Sequence, residues 1–262
     1  RNAGVERNTN DTMSQACILD FGNTRVKWAR FVDGEFAGVH QDEEAWESLQ
    51  DWSEDARWLI AASGPMDDRW TAWVETLKAK RPDSVVHLES AEGIPFPSAY
   101  NSMHTLGLDR IANAAGAAAE DSQADWLIID AGTCITADLL QGGKFCGGSI
   151  APGIDLRLRA MFAGTASLPY PEDWREQAAG GIGLDVGDDT VSSLIAGAIG
   201  GVQAELTERI RRFTNEIPSI RVALTGGDAK FLQLQADLPT FADPNLTWKG
   251  YFHLLNRMLT HE

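Results

Sequence analysis

Two short stretches of this sequence hold the residue types needed to grip a phosphate chain. In Asp20-Phe21-Gly22-Asn23-Thr24-Arg25-Val26-Lys27, the apolar run from Ala16 delivers one aspartate and then a Gly-Asn turn signal. Asp20 sets a carboxylate at a strand end, where a hydrated Mg²⁺ could be shared with phosphate oxygens. Gly22 has no Cβ, so the backbone can turn sharply and bring its N–H groups against a ligand. Thr24 offers a hydroxyl, and Arg25 and Lys27 project from one face because side chains alternate along a strand. Taken alone, the segment reads equally as an ordinary hairpin with polar turn residues. The second stretch, Ile128-Ile129-Asp130-Ala131-Gly132-Thr133-Cys134-Ile135-Thr136, repeats the order: apolar pair, Asp, one residue, Gly, returning strand. Each copy runs on to a matching turn, Gly34-Glu35-Phe36-Ala37-Gly38 in one and Gly143-Lys144-Phe145-Cys146-Gly147 in the other. The copies are a small domain's length apart, which predicts a duplicated fold that clamps a phosphate chain between its halves. The alternative is the same accident occurring twice.

A third group lies between them. Leu106-Gly107-Leu108-Asp109-Arg110 precedes an Ala-rich run, Ala112 to Glu120, that must be helical. Asp109 and Arg110 therefore belong at or near a helix N-terminus, where the dipole favours a carboxylate or a bound phosphate. Asp109 reads either as the N-cap or as a functional carboxylate. The adjoining Arg110, and Gly107 as a place where a ligand can approach, favour the second.

The elements that must position these residues follow from periodicity. After the first hairpin, Asp42 to Trp52 has helical spacing (Trp46, Leu49), Arg57 to Ala62 is a strand ending in a Ser-Gly turn, and Ser84 to Leu88 is another strand. Asp67 to Arg81 carries Trp70, Trp73, Val74 and Leu77 on one helical face. The first half is thus α/β with a mixed sheet, and its clustered tryptophans read as packing residues. Gly93 to Pro97 is a proline-punctuated loop leading to Tyr100. The second half opens near Asp125. Gly147-Gly148-Ser149-Ile150-Ala151-Pro152-Gly153 reads as a glycine-rich loop, followed by a helix with Ile154, Leu158, Met161 and Phe162 inside and Arg157 and Arg159 outside. Leu168 to Gly183 reads as a lid-like excursion, and Asp188-Asp189-Thr190 as the cap of a long helix through Arg212. Arg221 to Leu224 is a strand whose Thr225-Gly226-Gly227-Asp228 turn could admit a nucleobase or ribose, or be a plain βα loop. Leu246-Thr247-Trp248-Lys249-Gly250 precedes a terminal helix.

At 262 residues and 44% hydrophobic, the chain can bury a core and hold one large or two small domains. No run approaches the length of a membrane span, and nothing near the start resembles a signal peptide. Residues 1–15 are polar and aperiodic and read as a disordered tail, with Met13 a candidate natural start. Cys17, Cys134 and Cys146 lack metal-ligand spacing and read as reduced thiols in a reducing compartment, hence a cytoplasmic protein. A net charge of −16 argues against nucleic acid or an anionic membrane as partner, and an anionic substrate must meet locally placed Arg and Lys.

Taken in order, Asp20 to Thr24, Gly107-Leu108-Asp109-Arg110, Asp130 to Thr133, Gly147 to Gly153, Thr165-Ala166-Ser167-Leu168-Pro169, Thr225 to Asp228 and Leu246 to Gly250 resemble the type III pantothenate kinases. That family lies in the actin, sugar-kinase and heat-shock-chaperone ATPase superfamily. The resemblance covers nearly the whole chain from Ala16, and its specificity lies in the seven segments together. It implies a duplicated ribonuclease H-like α/β fold, two lobes with mixed sheets flanked by helices. The N-terminal lobe would be 16–122, with the first hairpin and the substrate loop; the C-terminal lobe would be 123–262, with the second hairpin and dimer-forming helices. It implies ATP-dependent phosphorylation of the pantothenate primary hydroxyl, the first step towards coenzyme A. By the same resemblance, Asp20, Phe21, Gly22, Asn23, Thr24, Arg25, Val26 and Lys27 form the first phosphate-binding hairpin, with Asp20 near Mg²⁺. Asp109 is the general base. Arg110 pairs with the substrate carboxylate, and Tyr100, Gly107 and Leu108 line that pocket. Asp130 holds a monovalent cation (K⁺ or NH₄⁺), Thr133 touches ATP, and Thr190 contacts pantothenate, in the family from the partner subunit of a homodimer. Cys134 and Leu108 fill variable positions.

Three other functions fit parts of the pattern. A ribonuclease H-like nuclease could use Asp20, Asp109 and Asp130 for two metals, but the charge and the absence of a basic stripe oppose it. A sugar or acetate kinase lacks support from Tyr100 and the Gly-Leu-Asp-Arg segment. A non-catalytic ATP-binding regulator, such as a transcription accessory factor, would share the scaffold, yet the acidic residues needed for catalysis are all retained.

Overall fold

The computed structural model describes residues 15–22, 25–49, 56–180, 186–234 and 240–260. Asn23, Thr24, Met13 with the rest of the first fourteen residues, Trp52, and residues 181–185 of the expected excursion lie outside the described residues. By packing, the chain divides into two units. One is drawn from residues up to Ile94 together with those from Tyr251 onward, and the other is Pro95–Gly250. The stretch 95–122, grouped with the N-terminal lobe in the sequence reading, packs with the second unit.

In the first unit β1 (Gln15–Phe21) is antiparallel to β2 (Val26–Val32), and β2 to β3 (Glu35–Gln41). On its other side β1 runs parallel to β4 (Arg57–Ala62), and β4 to β5 (Val85–Leu88). Helix α1 (Asp42–Leu49) follows β3, and α2 (Asp68–Lys80) joins β4 to β5. The Asp67 side chain starts α2 by accepting from the Trp70 backbone N–H at 2.8 Å. The tryptophans pack as expected. Trp28 is fully buried with its Nε1 donating to Ser48 Oγ at 2.9 Å, while Trp46, Trp58 and Trp73 meet one another or Trp70 edge to face, with centroids 5.0–6.0 Å apart.

The second unit repeats this strand by strand. β6 (Trp126–Ala131), β7 (Cys134–Gln141) and β8 (Lys144–Pro152) form the antiparallel meander; β9 (Arg221–Thr225) and β10 (Thr240–Ala242) continue the sheet in parallel on the far side of β6. The sheet orders are β3-β2-β1-β4-β5 and β10-β9-β6-β7-β8, the same sequence of partners read in opposite directions. The repeated Gly-x-Phe-x-Gly is a turn followed by a bulge. Asp33-Gly34 and Gly142-Gly143 both take positive φ at their two turn residues, the geometry that matches strand twist in a two-residue hairpin. Pairing then slips by one residue in each copy, leaving Ala37 and Cys146 unmatched just before a positive-φ glycine, Gly38 or Gly147. Duplication of the fold is therefore visible down to the bulge.

Alternation gives the second sheet two unlike faces. Leu127, Ile129, Ala131, Ile135, Ala137, Val222 and Leu224 point to an apolar core shared with α4 (Ile154–Gly164) and the 27-residue α6 (Thr190–Glu216). Asp130, Thr136, Asp138 and Thr225 occupy the intervening positions and share the opposite face, their register partners being Asp130↔Thr136 and Asp130↔Thr225. Helix α3 (Leu108–Glu120) belongs to this second layer, and nearly all of its residues from Leu108 to Ala117 are buried. In α4, Ile154 and Leu158 are buried as expected but Phe162 is 53% exposed, so the apolar face of that helix is only partly covered by the chain itself.

Three local expectations change. Gly147 to Pro152 lie in β8 rather than in a loop. The excursion after Leu168 contains α5 (Trp174–Ala179), with Trp174 fully buried. Asp155 Oδ1 accepts from Tyr170 Oη at 2.6 Å and from Trp174 Nε1 at 3.0 Å, so residues 170–174 are held down rather than lid-like. Leu246 to Gly250 are the opening of α7 (Leu246–Thr260), not a segment before it. In the first unit, Phe252 of α7 stacks on Phe31 with centroids 4.4 Å apart, and Arg57 Nη1 donates to Asn256 Oδ1 at 2.6 Å.

Candidate active site

In the first unit, Asp20 is the penultimate residue of β1, half-buried and in register with Lys27 on β2. Gly22 N–H donates to the Arg25 carbonyl at 3.1 Å, and Gly64 N–H to that of Phe21 at 2.6 Å. Phe21 is buried, Val26 packs on the core, and Arg25 and Lys27 are exposed on one face. Arg25 spends its guanidinium at the surface, donating from Nη1 to Gln41 Oε1 at 3.2 Å and lying 3.9 Å from Asp42. Such pairs are weak, and a phosphate would displace them readily.

The second hairpin is tighter. Gly132 N–H donates to the Cys134 carbonyl at 3.0 Å, with Thr133 exposed at the tip. Two glycines from other segments press against this turn. A Cβ at Gly153 would lie 2.6 Å from Thr133 O, and one at Gly226, whose φ is +96°, would lie 2.5 Å from Asp130 Oδ1. Any side chain there would push the turn or the carboxylate aside. Asp228 N–H also holds the Ala131 carbonyl at 2.9 Å. The Asp228 carboxyl is pushed up by burial, against the charge and hydrogen bonds of Arg175, whose Nη2 lies 3.2 Å from Oδ1. The Thr225-Gly226-Gly227-Asp228 turn thus serves first to brace the hairpin; Gly227 alone faces open space.

Asp130 accepts from Asn113 Nδ2 at 2.9 Å through Oδ2. Around it the available donors are all oxygens: its own carboxylate, turn carbonyls, and Thr225 Oγ1, which is buried with no hydrogen-bond partner. That donor set suits a hard cation. No group of three or more His, Cys, Asp or Glu gathers among the described residues, so a softer metal finds no thiolate or imidazole cage there.

Gly107 is the N-cap of α3, and Asp109 lies in its first turn. Asp109 is therefore not the cap. Its exposed carboxylate folds back, Oδ1 accepting from the Arg110 N–H at 2.8 Å, over the spot where a Cβ at Gly107 would fall 2.5 Å away. Leu108 turns into the core.

Arg110 sits behind it, 5% exposed, and its partner is a residue that sequence reasoning missed. Nε donates to Asp138 Oδ2 at 3.0 Å and Oδ1 at 3.2 Å, and Nη2 also bonds Oδ1. The guanidinium carbon lies 5.7 Å from the Tyr100 ring centroid and 5.6 Å from that of Phe145. Burial pushes the Asp138 carboxyl up, opposed by the hydrogen bonds and charge of Arg110 and helped by the negative charge of Asp109. The β8 glycines make room for this assembly. A Cβ at Gly147 would lie 2.9 Å from Tyr100 Cδ2, and one at Gly148, opposite Asp138 in register, would overlap the Asp138 carboxylate. Tyr100 is brought there by residues 97–99, which add to the β8 edge through Ala99 N–H to the Phe145 carbonyl and Phe145 N–H to the Pro97 carbonyl, both 2.9 Å.

Within the second unit, then, Tyr100, Gly107, Asp109 and Arg110 come together, and Asp130 with Thr133 lie at the turn of the same sheet. Thr190 lies apart from that cluster, exposed at the start of α6, beside a hollow of about 530 Å³ lined by Met161, Leu168, Gly187 and Gly197. Its helix is capped by a reciprocal Asp189–Ser192 pair, Ser192 N–H to Asp189 Oδ1 being 2.7 Å. The clue to Asp138 was a lone acid in a strand that is apolar but for Thr136, Ile135 to Leu140; Asn113 offered no comparable signal.

A family model described as type III pantothenate kinase matches residues 17–212. A type III pantothenate kinase of Christiangramia forsetii is 34% identical over 177 residues, 67% of this chain and 70% of that one. The Bacteroides fragilis enzyme of the same name is 31% identical over 244 residues, 91% and 96% of the two chains. Among solved structures, a protein described as a conserved Baf family transcriptional activator from Campylobacter jejuni superposes with a TM-score of 0.58 at 17% identity, covering 93% of this chain and 99% of that one. MreB 5 of Spiroplasma citri bound to AMPPNP gives 0.50 at 12%, covering 95% and 98%. At those identities the structural likeness speaks for the fold alone.

Proposed function

The chain belongs to the type III pantothenate kinase family, and from that membership we infer its reaction. It phosphorylates the primary hydroxyl of pantothenate with ATP, giving 4′-phosphopantothenate for coenzyme A synthesis. The family match across residues 17–212 carries this reading. The carboxylate of Asp109, exposed at the start of α3, supplies its chemistry.

Phosphoryl transfer asks the protein mainly for alignment and charge stabilisation. Asp109 would accept the proton of the attacking hydroxyl and aim its oxygen. The α3 N-terminus beside it favours the negative charge gathered there. Arg110 is oriented by Asp138 through Nε and Nη2, with Tyr100 beside its guanidinium, and its positive charge would meet the substrate carboxylate. In the first unit the hairpin residues Asp20 to Lys27 would bind phosphate, and in the second unit Thr133 would contact ATP. Asp20 would hold a divalent metal, which would supply neutralisation of phosphate charge, and Asp130 a monovalent cation, which would supply fixed positive charge. Asp109→Asn should leave ATP binding and melting temperature in place and lower kcat about 10²–10⁴-fold. A coupled ADP-release assay with and without pantothenate measures it. ADP release indifferent to pantothenate would overturn the reaction, and near-normal turnover in the variant would remove Asp109 from the role.

We also propose a homodimer, formed through the second unit, in which Ile150 (62% exposed), Phe162 and Val186 are each uncovered. Phe162→Asp should shift sedimentation from dimer to monomer; an unchanged coefficient would place the interface elsewhere. A cytoplasmic location suits a chain in which no described helix is long and apolar enough to cross a membrane and whose three cysteines are free.

A further inference from the structure

Asn113 is buried inside the second unit with 1% of its surface exposed, and both ends of its amide are engaged. Nδ2 donates to Asp130 Oδ2 at 2.9 Å, and Oδ1 accepts from Thr247 Oγ1 at 2.7 Å. An amide donates from one end only. Turned over, it would set its oxygen against a carboxylate oxygen and its NH₂ against the threonine, so the direction of the chain is fixed: hydroxyl to amide, amide to carboxylate. The contact exists because α3 and the first turn of α7 cross with almost nothing between their backbones. A Cβ at Gly116 would lie 2.7 Å from the Leu246 carbonyl, and one at Gly250 would overlap the Ala112 carbonyl. Thr247 lies one turn before Gly250 and Asn113 next to Ala112, so that crossing presses hydroxyl onto amide.

We propose that Asn113 and Thr247 are positioning residues that fix the rotamer of Asp130, and so the cation affinity of the second hairpin. The proposal rests on reading Asp130 as the monovalent-cation carboxylate. Neither residue reaches the cation. Asn113 occupies Oδ2 and turns Oδ1 towards the glycine-braced turn, where a Cβ at Gly226 would lie 2.5 Å from it. Thr247 keeps the amide from rotating away. A carboxylate held in one rotamer binds without first losing side-chain freedom.

The test is calorimetric binding of a non-hydrolysable Mg·ATP analogue while potassium replaces choline at constant ionic strength, on the full-length protein. Thr247→Val, isosteric but without the donor, should raise the potassium concentration for half-maximal nucleotide affinity roughly five- to tenfold, the factor set by one hydrogen bond. Thr247→Ser, which restores the hydroxyl, should return to the wild-type value. Thr247→Ala serves in place of the valine variant if that one melts early. Asp130→Asn is the control and should lose the potassium response altogether. If valine and serine variants titrate alike while Asp130→Asn loses the response, the positioning role is wrong and the reading of Asp130 survives. If Asp130→Asn keeps a wild-type response, the cation reading falls and the proposal with it.

Discussion

Replacing Asp138 with alanine tests the Arg110 site most directly. Arg110 is 5% exposed and Asp138 1%, and the carboxylate takes three contacts from Nε and Nη2. Removing one partner of a pair so desolvated strands a charge and costs about 3–5 kcal/mol. Against a total stability of about 5–15 kcal/mol that is a large fraction. At roughly 2–4 °C per kcal/mol for a chain of this size, the melting temperature should fall by about 10 °C. The double change Arg110→Met with Asp138→Leu removes both charges and fills the space, so most of the loss should be recovered. Its KM for pantothenate should nevertheless stay high, because the cation is gone. Thermal melts of both variants, with steady-state kinetics of the double variant, separate stability from binding. A fall of less than about 2 °C in Asp138→Ala would mean the pair is not desolvated as described, and a normal KM in the double variant would remove Arg110 from substrate binding.

Two further outcomes follow from the packing. Gly250→Ala would drive a methyl into the Ala112 carbonyl, and since backbone cannot step aside, a loss of about 3 kcal/mol or more is expected from denaturant melts; a neutral result would mean the α3–α7 crossing is looser than it is here. The Asp155 carboxyl, although burial pushes it up, is held below its ordinary value by hydrogen bonds from Tyr170, Arg159 and Trp174. A depressed folded value contributes stability above the unfolded value, here 3.8, and loses it as pH falls further. Protection factors over residues 168–180, exchange taken relative to each amide's intrinsic rate, should therefore fall on acidification below about pH 4 in the wild type. In Asp155→Asn they should already be low at neutral pH, and equal protection in both would detach that segment from Asp155.

The hairpins, the repeated Gly-x-Phe-x-Gly and the helix after Gly107 were legible because each is local: turn chemistry and periodicity act within a few residues. What escaped was set by distant partners. Gly147 and Gly148 look like a loop until Tyr100 and Asp138 are laid over them, at which point they are strand residues kept bare to admit those side chains. Asp138 and Asn113 lie on an apolar strand and an Ala-rich helix and gain meaning only from Arg110, Asp130 and Thr247. Trp174 fixed a segment whose glycines and prolines suggested freedom, since one buried indole bonded to Asp155 outweighs its neighbours' flexibility.

The two unlike faces of the second sheet bear on how this protein can change. Along β6 and β7, every other position answers to packing with α4 and α6 and accepts another aliphatic of similar volume. Among the positions between, Asp130, Thr136 and Asp138 admit no hydrocarbon, whereas Trp126, Ile128 and Leu140 are themselves apolar. A saturation library across Ile135 to Leu139 should read as a comb, permissive and intolerant teeth in succession, and a one-residue deletion there would hand the tasks of Thr136 and Asp138 to residues built for grease.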